Sequence, residues 1–184
     1  MKEEIIICAR DVYLEAGFNG FSMRKVAACA GISATAIYRH FPDKESLLFN
    51  ILLAGFRLFA VYLKRCEKES SPLMRLQRSS REYMNFALEN PGYYEIMFMS
   101  TDQMTGLKHL NDKGAQEMEE TYLFHKQLVI DCQFKGQDTE QLTAAIWAFG
   151  HGLVALYLVG KLPLDKKTFM DMYTIQINNY LSYL

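Results

Sequence analysis

Apolar residues return every three to four positions along almost the whole chain, and its four prolines fall only where that repeat stops. This combination points to packed helices, because an interior proline removes a backbone donor and clashes with the preceding turn. Pro42, Pro72, Pro91 and Pro163 therefore read as punctuation. No segment alternates apolar and polar residues over strand length, and no internal repeat stands out. Half of the 184 residues are apolar, enough to bury a core without disulfides or metals. The expected fold is all-α, with about nine helices.

Local signals place the helices. The first is expected over residues 2–16, with Cys8, Ala9, Val12, Tyr13 and Ala16 on its apolar stripe and Gly17 as C-cap. Ser22 caps a second helix that ends near residue 30. Gly31-Ile32-Ser33 turns the chain, and Ser33 caps a third helix over 34–40. Cys29 is expected as a small buried residue. Pro42 stops the third helix, and Asp43 caps a long fourth one reaching residue 68. A fifth covers 72–89. Asn90-Pro91-Gly92 reads as a sharp turn before a short helix bearing Tyr93, Tyr94, Ile96 and Phe98. Residues 101–113 carry no clear pattern. Three more helices are expected over 114–134, from Asp138 to 159, and from Asp165 almost to the end.

Composition narrows the function. Lys plus Arg is 20 and Asp plus Glu is 21, so the chain does not coat nucleic acid by bulk charge. A local contact surface remains possible, because fields act locally. The four cysteines form no CxxC or Cys/His cluster, so neither a metal site nor a disulfide framework is expected, nor any cofactor. The implied setting is reducing and cytoplasmic. The only apolar run near the start, Ile5 to Cys8, is too short for a signal peptide. The uncharged stretch Ala144 to Gly160 falls short of the roughly 20 residues that span a bilayer. It reads as a helix buried within or between subunits, not as a membrane contact. No Ser/His/Asp set, phosphate loop, HExxH or paired carboxylates suggest an enzyme.

Two short helices joined by a glycine turn fit a helix-turn-helix, whose second helix can enter a major groove. The residues carry a further resemblance. Ala9, Val12 and Tyr13, the Gly17-Phe18 turn and Ser22-Met23-Arg24-Lys25-Val26-Ala27 stand in order. Gly31-Ile32-Ser33, Ile37-Tyr38-Arg39-His40-Phe41 and Lys44-Glu45-Ser46-Leu47-Leu48 follow. From Cys8 to Leu48 the chain resembles the DNA-binding domain of the TetR family of bacterial transcriptional regulators. Tyr13 and Ser22 are mild departures from the pattern. The resemblance implies a DNA-binding domain over 1–48 and a helical ligand-binding and dimerisation domain over 49–184. It makes the third helix the recognition helix, with Ser33, Ala34, Thr35 and Ala36 facing the groove. Tyr38, His40 and Lys44 would meet phosphates, and Ser22, Arg24, Lys25 and Arg39 would add polar or charged contacts. Val26, Ala27, Ile32, Ile37, Phe41 and Leu47 would be the core beneath. Alanines offer only methyl contacts, so specificity would lean on DNA shape. Residues 1–50 carry basic and acidic side chains in equal number, so affinity is expected to need two copies on one operator.

The remainder resembles, more weakly, a subgroup with NPGYYEIMF at 90–98 and Trp147 and His151-Gly152 in WAFGHGL. The apolar helix over about 138–160 carries Ala144, Ala145, Ala148, Gly150, Gly152 and Ala155, small enough for close approach of another helix. With the last helix, over about 165–183, it is expected to form a two-fold homodimer interface. Phe59, Tyr62, Tyr83, Phe86, Met97, Tyr122 and Trp147, with His125 and His151 as polar anchors, are candidates to hold a largely apolar small-molecule inducer of unknown identity. The resemblance implies an inducer-released repressor, with the fourth helix as lever. An activator is possible too. The alternative is a helical dimeric adaptor or ligand sensor that binds no DNA.

Overall fold

The structure is a computed structural model that describes residues 1–100 and 112–184. Among these residues nine α-helices follow one another and no strand occurs. They are α1 (Lys2–Gly20), α2 (Met23–Cys29), α3 (Ala34–Tyr38), α4 (Lys44–Leu63), α5 (Pro72–Glu89), α6 (Pro91–Tyr94), α7 (Asp112–Asp131), α8 (Thr139–Leu158) and α9 (Lys166–Ser182). The all-helical reading holds. Most of the stretch 101–113, which carries no sequence pattern, lies outside the described residues.

Capping explains most boundaries. Ser22 Oγ accepts from the Lys25 amide at 3.3 Å, Ser33 Oγ from Ala36 at 3.1 Å, and Asp43 Oδ1 from Ser46 at 2.7 Å. Asp138 and Asp165 do the same for Gln141 and Thr168, at 2.9 and 3.0 Å. Ser71, with Pro72 at the first helical position, caps α5 through the Met74 amide. Each such bond satisfies an amide that the helix leaves orphaned and contributes about 1 kcal/mol.

Five local features depart from the sequence expectation. Gly17 breaks α1 at φ 62°, but a further turn resumes and carries the helix to Gly20. The last turn after α4, Lys64–Lys68, tightens to a 3₁₀ helix. Pro91 and Gly92 lie inside α6 instead of forming a turn, because proline at a first helical position costs no hydrogen bond. The following residues, Glu95–Met99, form a π turn closed by the Ser100 amide on the Glu95 carbonyl. Cys29, expected to be buried, is exposed as the last residue of α2.

The chain divides into two compact units: residues 1–58 with 92–118, and residues 59–91 with 119–184. In the first, Ile5, Ala9, Val26, Ile37, Phe41 and Leu47 are buried beneath the three N-terminal helices. The segment after residue 92 packs onto α1 and α4. Tyr13 Oη bonds Ser100 Oγ at 2.8 Å, the Arg10 guanidinium lies 5.0 Å over the Tyr93 ring, and Phe98 meets Phe56 edge-on. Arg57 holds Glu117 through two bonds of 2.7 and 3.0 Å.

In the second unit α5 packs against α8 and α9. Tyr173 Oη donates to the Ser80 carbonyl at 3.0 Å, and Tyr157 stacks on Phe169 at 3.9 Å. Gly150 does admit another helix, but that helix is α9 of the same chain: a Cβ there would lie 2.7 Å from Tyr173 Oη. Two helical stretches, Lys44–Lys68 and Thr139–Leu158, are long and apolar enough to cross a membrane by length and composition. The first is 56% buried within the protein, as a core helix is, whereas the second is only 28% buried. Among the described residues, nothing covers one apolar face of α8.

Candidate nucleic-acid interface and ligand site

The turn between α2 and α3 is built by backbone bonds. The Ile32 amide donates to the Ala27 carbonyl at 3.0 Å, and the Gly31 amide to Ala28 at 3.2 Å. This pairing closes a helix with a left-handed residue at the turn, which Gly31 supplies at φ 65°. Val26, Ala27, Ile37, Phe41 and Leu47 are buried together beneath the pair, and Ile32 is half-buried against it. A rigid base therefore holds a short, exposed α3.

The outward surface is made by Ser33, Thr35, Tyr38, Arg39 and His40, with Arg24 and Lys25 exposed on α2. Tyr38 is 52% exposed. Ala34, Ala36 and Ser22 are half-buried. The hydroxyl oxygens of Ser22 and Ser33 are occupied as caps, leaving each a proton to donate outward.

Both candidate lysines bind their own backbone. Lys25 Nζ donates to the Gly20 carbonyl at 2.8 Å. Lys44 Nζ donates to the Phe18 carbonyl and lies 3.8 Å over the Phe18 ring. Together they tie down the carbonyls where α1 ends, a favourable place for cations. Each ammonium keeps further donors for a phosphate. One contributor had no clear sequence signal. Lys2 lies 5.3 Å over the Phe41 ring, so α1 brings a cation to the residue after His40.

The ligand candidates fall into separate groups. In the second unit Phe59 touches Tyr83 and Phe86, with centroids 5.5 and 5.0 Å apart, and Tyr62 meets Phe86 at 5.6 Å. Tyr83 Oη and His151 Nδ1 are 2.8 Å apart. Tyr122 and Trp147 form another pair at 6.2 Å, and Tyr122 Oη also donates to Glu140. Met97 belongs to the first unit, where it packs on Gly55.

His125 is half-buried overall, but its Nε2 is wholly buried with no hydrogen-bond partner. Burial pushes its pKa down to about 4, against a smaller opposing effect from the Thr143 backbone. Burial lowers His151 as well. The two rings are therefore neutral at pH 7, suited to hydrogen bonding and not to ion pairing.

The sequence reading missed Glu82. It is 1% exposed and pairs with Arg65 at 3.0 Å and Arg78 at 2.7 Å. The four-residue spacing from Arg78 hints at the pair, but nothing local hints at burial or at Arg65. Tyr62 Oη donates to Glu89 at 2.6 Å and accepts from Asn90, so its polar end is already engaged.

Known proteins resemble this chain over both parts. The family model described as bacterial regulatory proteins, tetR family, matches residues 5–51. The model described as tetracyclin repressor-like, C-terminal domain, matches residues 76–178. The HTH-type transcriptional regulator RutR of Escherichia coli (strain K12) is 30% identical over 123 residues, 62% of this chain. The match spans 58% of that relative's own length. The HTH-type transcriptional repressor KstR2 of Mycobacterium tuberculosis (strain H37Rv) is 36% identical over 76 residues, covering 40% of this chain and 38% of the relative. A protein of unknown function from Rhodococcus sp. RHA1 superposes with a TM-score of 0.80 at 22% identity, covering 100% of this chain and 94% of that one. FadR of Bacillus subtilis, solved in complex with stearoyl-CoA, superposes at 0.75 with 14% identity and 98% and 97% coverage. At these identities the structural matches establish the shared fold alone.

Proposed function

The chain belongs to the TetR family of bacterial transcriptional regulators, and from that premise we propose that it is a homodimeric repressor that leaves its operator when a small, largely apolar ligand binds. The family is one of regulators, not of enzymes. The observation that carries the reading is the exposed α3, whose Thr35, Tyr38, Arg39 and His40 stand outward on a buried base. DNA binding is assigned to residues 1–48, with ligand binding and dimerisation in 49–184, in a protein that works in the cytoplasm.

The uncovered face of α8 supports the dimer. Ala144, Ala145, Ala148 and Leu156 are exposed there, as is Ile175 on α9, and a second copy would bury them. In such a dimer two recognition helices about 34–36 Å apart would enter successive major grooves. For the ligand, the aromatic group around Phe59 and Phe86 supplies apolar contact, and neutral His125 and His151 supply polar anchors. Helix α4 would transmit the signal, since it carries Lys44 in its first turn and Phe59 and Tyr62 in its last. A ligand with unequal affinity for two spacings of the recognition helices would then shift their populations.

The test is selection of bound duplexes from a random pool, followed by gel shift. The expected result is a two-fold site with half-sites one helical turn apart. Arg39→Ala should weaken binding across all sequences and reduce the salt slope by about two, one contact from each copy. A second reading, an adaptor or sensor without DNA binding, has one observation in its favour: the Ser22, Ser33, Lys25 and Lys44 head groups all bond their own backbone. Recovery of no sequence from the pool, with the dimer intact, would establish that reading instead.

A further inference from the structure

We propose that Cys8 and Cys29 are a thiol pair that peroxides convert to a disulfide, and that this bond withdraws the helix-turn-helix from DNA. The second half rests on the DNA-binding reading above. All four cysteines are free thiols. Cys8 lies on α1 and Cys29 ends α2, two helices that pack together within the first unit, and the two side chains meet within hydrogen-bonding reach. Cys66 and Cys132 belong to the second unit, and Cys66 is wholly buried. A disulfide in a reducing compartment is characteristically transient and redox-sensing, and an adjacent thiol pair is what such a bond requires.

Exposure assigns the roles. Cys29 is exposed and meets the oxidant, whereas Cys8 is half-buried. Burial first, and then the neighbouring Cys29, push the Cys8 thiol up to about 11, so Cys8 is the resolving thiol and gives up its proton only as it attacks. The Cys29 sulfur attacks one peroxide oxygen. An S–O bond forms, the O–O bond breaks, and the departing oxygen leaves as water, taking the Cys29 proton. Cys29, oxidised by two electrons, is now a sulfenic acid. The Cys8 sulfur then attacks the Cys29 sulfur. The S–S bond forms, the S–O bond breaks, and hydroxide leaves with the Cys8 proton as a second water. Two thiols and one hydrogen peroxide thus give one disulfide and two waters, and a thiol reductant reverses the change.

The consequence for DNA follows from position. Closing the pair to a bond of about 2.05 Å draws the end of α2 toward α1. Cys29 directly follows Ala27 and Ala28, whose carbonyls close the turn into α3. A shift at Cys29 therefore passes through Gly31 to the Ser33 cap and re-aims Thr35, Tyr38 and His40.

The experiment treats the full chain with hydrogen peroxide, blocks remaining thiols by alkylation, and maps the peptides. A parallel anisotropy titration uses a duplex from the selection above. The expected result is a Cys8–Cys29 linked peptide and a fall in duplex affinity of about tenfold or more, the equivalent of losing one base contact. Dithiothreitol should restore binding, and Cys8→Ser and Cys29→Ser should each bind alike with and without peroxide. Both thiols still open to alkylation after excess peroxide would overturn the proposal. So would a linked peptide with unchanged affinity, or a Cys29→Ser variant as sensitive as the parent. A reduced protein that selects no DNA would overturn the regulator reading and the DNA half of this one, while the peptide map still decides the thiol half.

Discussion

Burial leaves the His125 ring neutral at pH 7 and its Nε2 without a partner, which couples stability to pH. In the unfolded chain the ring takes up a proton below about pH 6.5, whereas in the folded protein it does so only near 4. Between those values the unfolded state binds more protons, so stability is full above about 6.5 and falls as pH drops toward 4. The loss is about 2–4 kcal/mol, and urea midpoints at pH 7 and pH 5 should reveal most of it. His125→Leu should flatten this pH dependence and also remove an unsatisfied buried nitrogen. A second prediction concerns Glu82. Glu82→Gln should cost about 1–3 kcal/mol in urea denaturation, because two half-exposed arginines lose a buried counter-charge. At this scale the sequence was only partly legible. Tyr38 and Phe41 are both aromatic, yet one is exposed and the other buried, and the helical phase of Ile37 and Phe41 already separates them. His125 and Glu82 were not legible in that way. His125 owes its state to burial and Glu82 its state to burial beside Arg65, which only the folded chain supplies.

Helix boundaries follow from short-range chemistry, so the elements were largely readable. Ser22, Ser33, Asp43, Asp138 and Asp165 each cap the helix that a reader of local sequence assigns to them. The π turn at Glu95–Met99 and the resumed turn after Gly17 were not readable, because each alters backbone hydrogen-bonding without a residue type of its own. The short α3, Ala34–Tyr38, depends most on its cap, since so few residues cannot sustain a helix alone. Ser33→Ala should lower stability by about 1 kcal/mol, or roughly 2–4 °C in Tm. Ser33→Asp should restore Tm in a thermal melt yet leave duplex affinity low, because its carboxylate would face phosphates. Recovery of both properties by aspartate would mean that Ser33 acts through its cap alone.

At the scale of the molecule, the exposed face of α8 is the feature with the largest expected effect. Ala148→Arg should place a long cation where a second copy is expected. Sedimentation should then show monomers with helical content unchanged, and duplex affinity should fall by about 10²–10⁴, the loss of a tethered second half-site. A dimer that survives this change would move the interface elsewhere. What local sequence does not show is that the described residues 92–100 and 112–118 join the compact unit of the N-terminal helices. That arrangement has a consequence in time. Tyr13 and Ser100 stand 87 residues apart, and ribosomes add about 5–20 residues per second. For roughly 4 to 17 seconds of synthesis Tyr13 on the nascent α1 therefore waits for the segment that packs on it. During that interval α1 leaves part of its apolar surface open to water and to chaperones, and a protein trimmed to its first helices would remain in that condition.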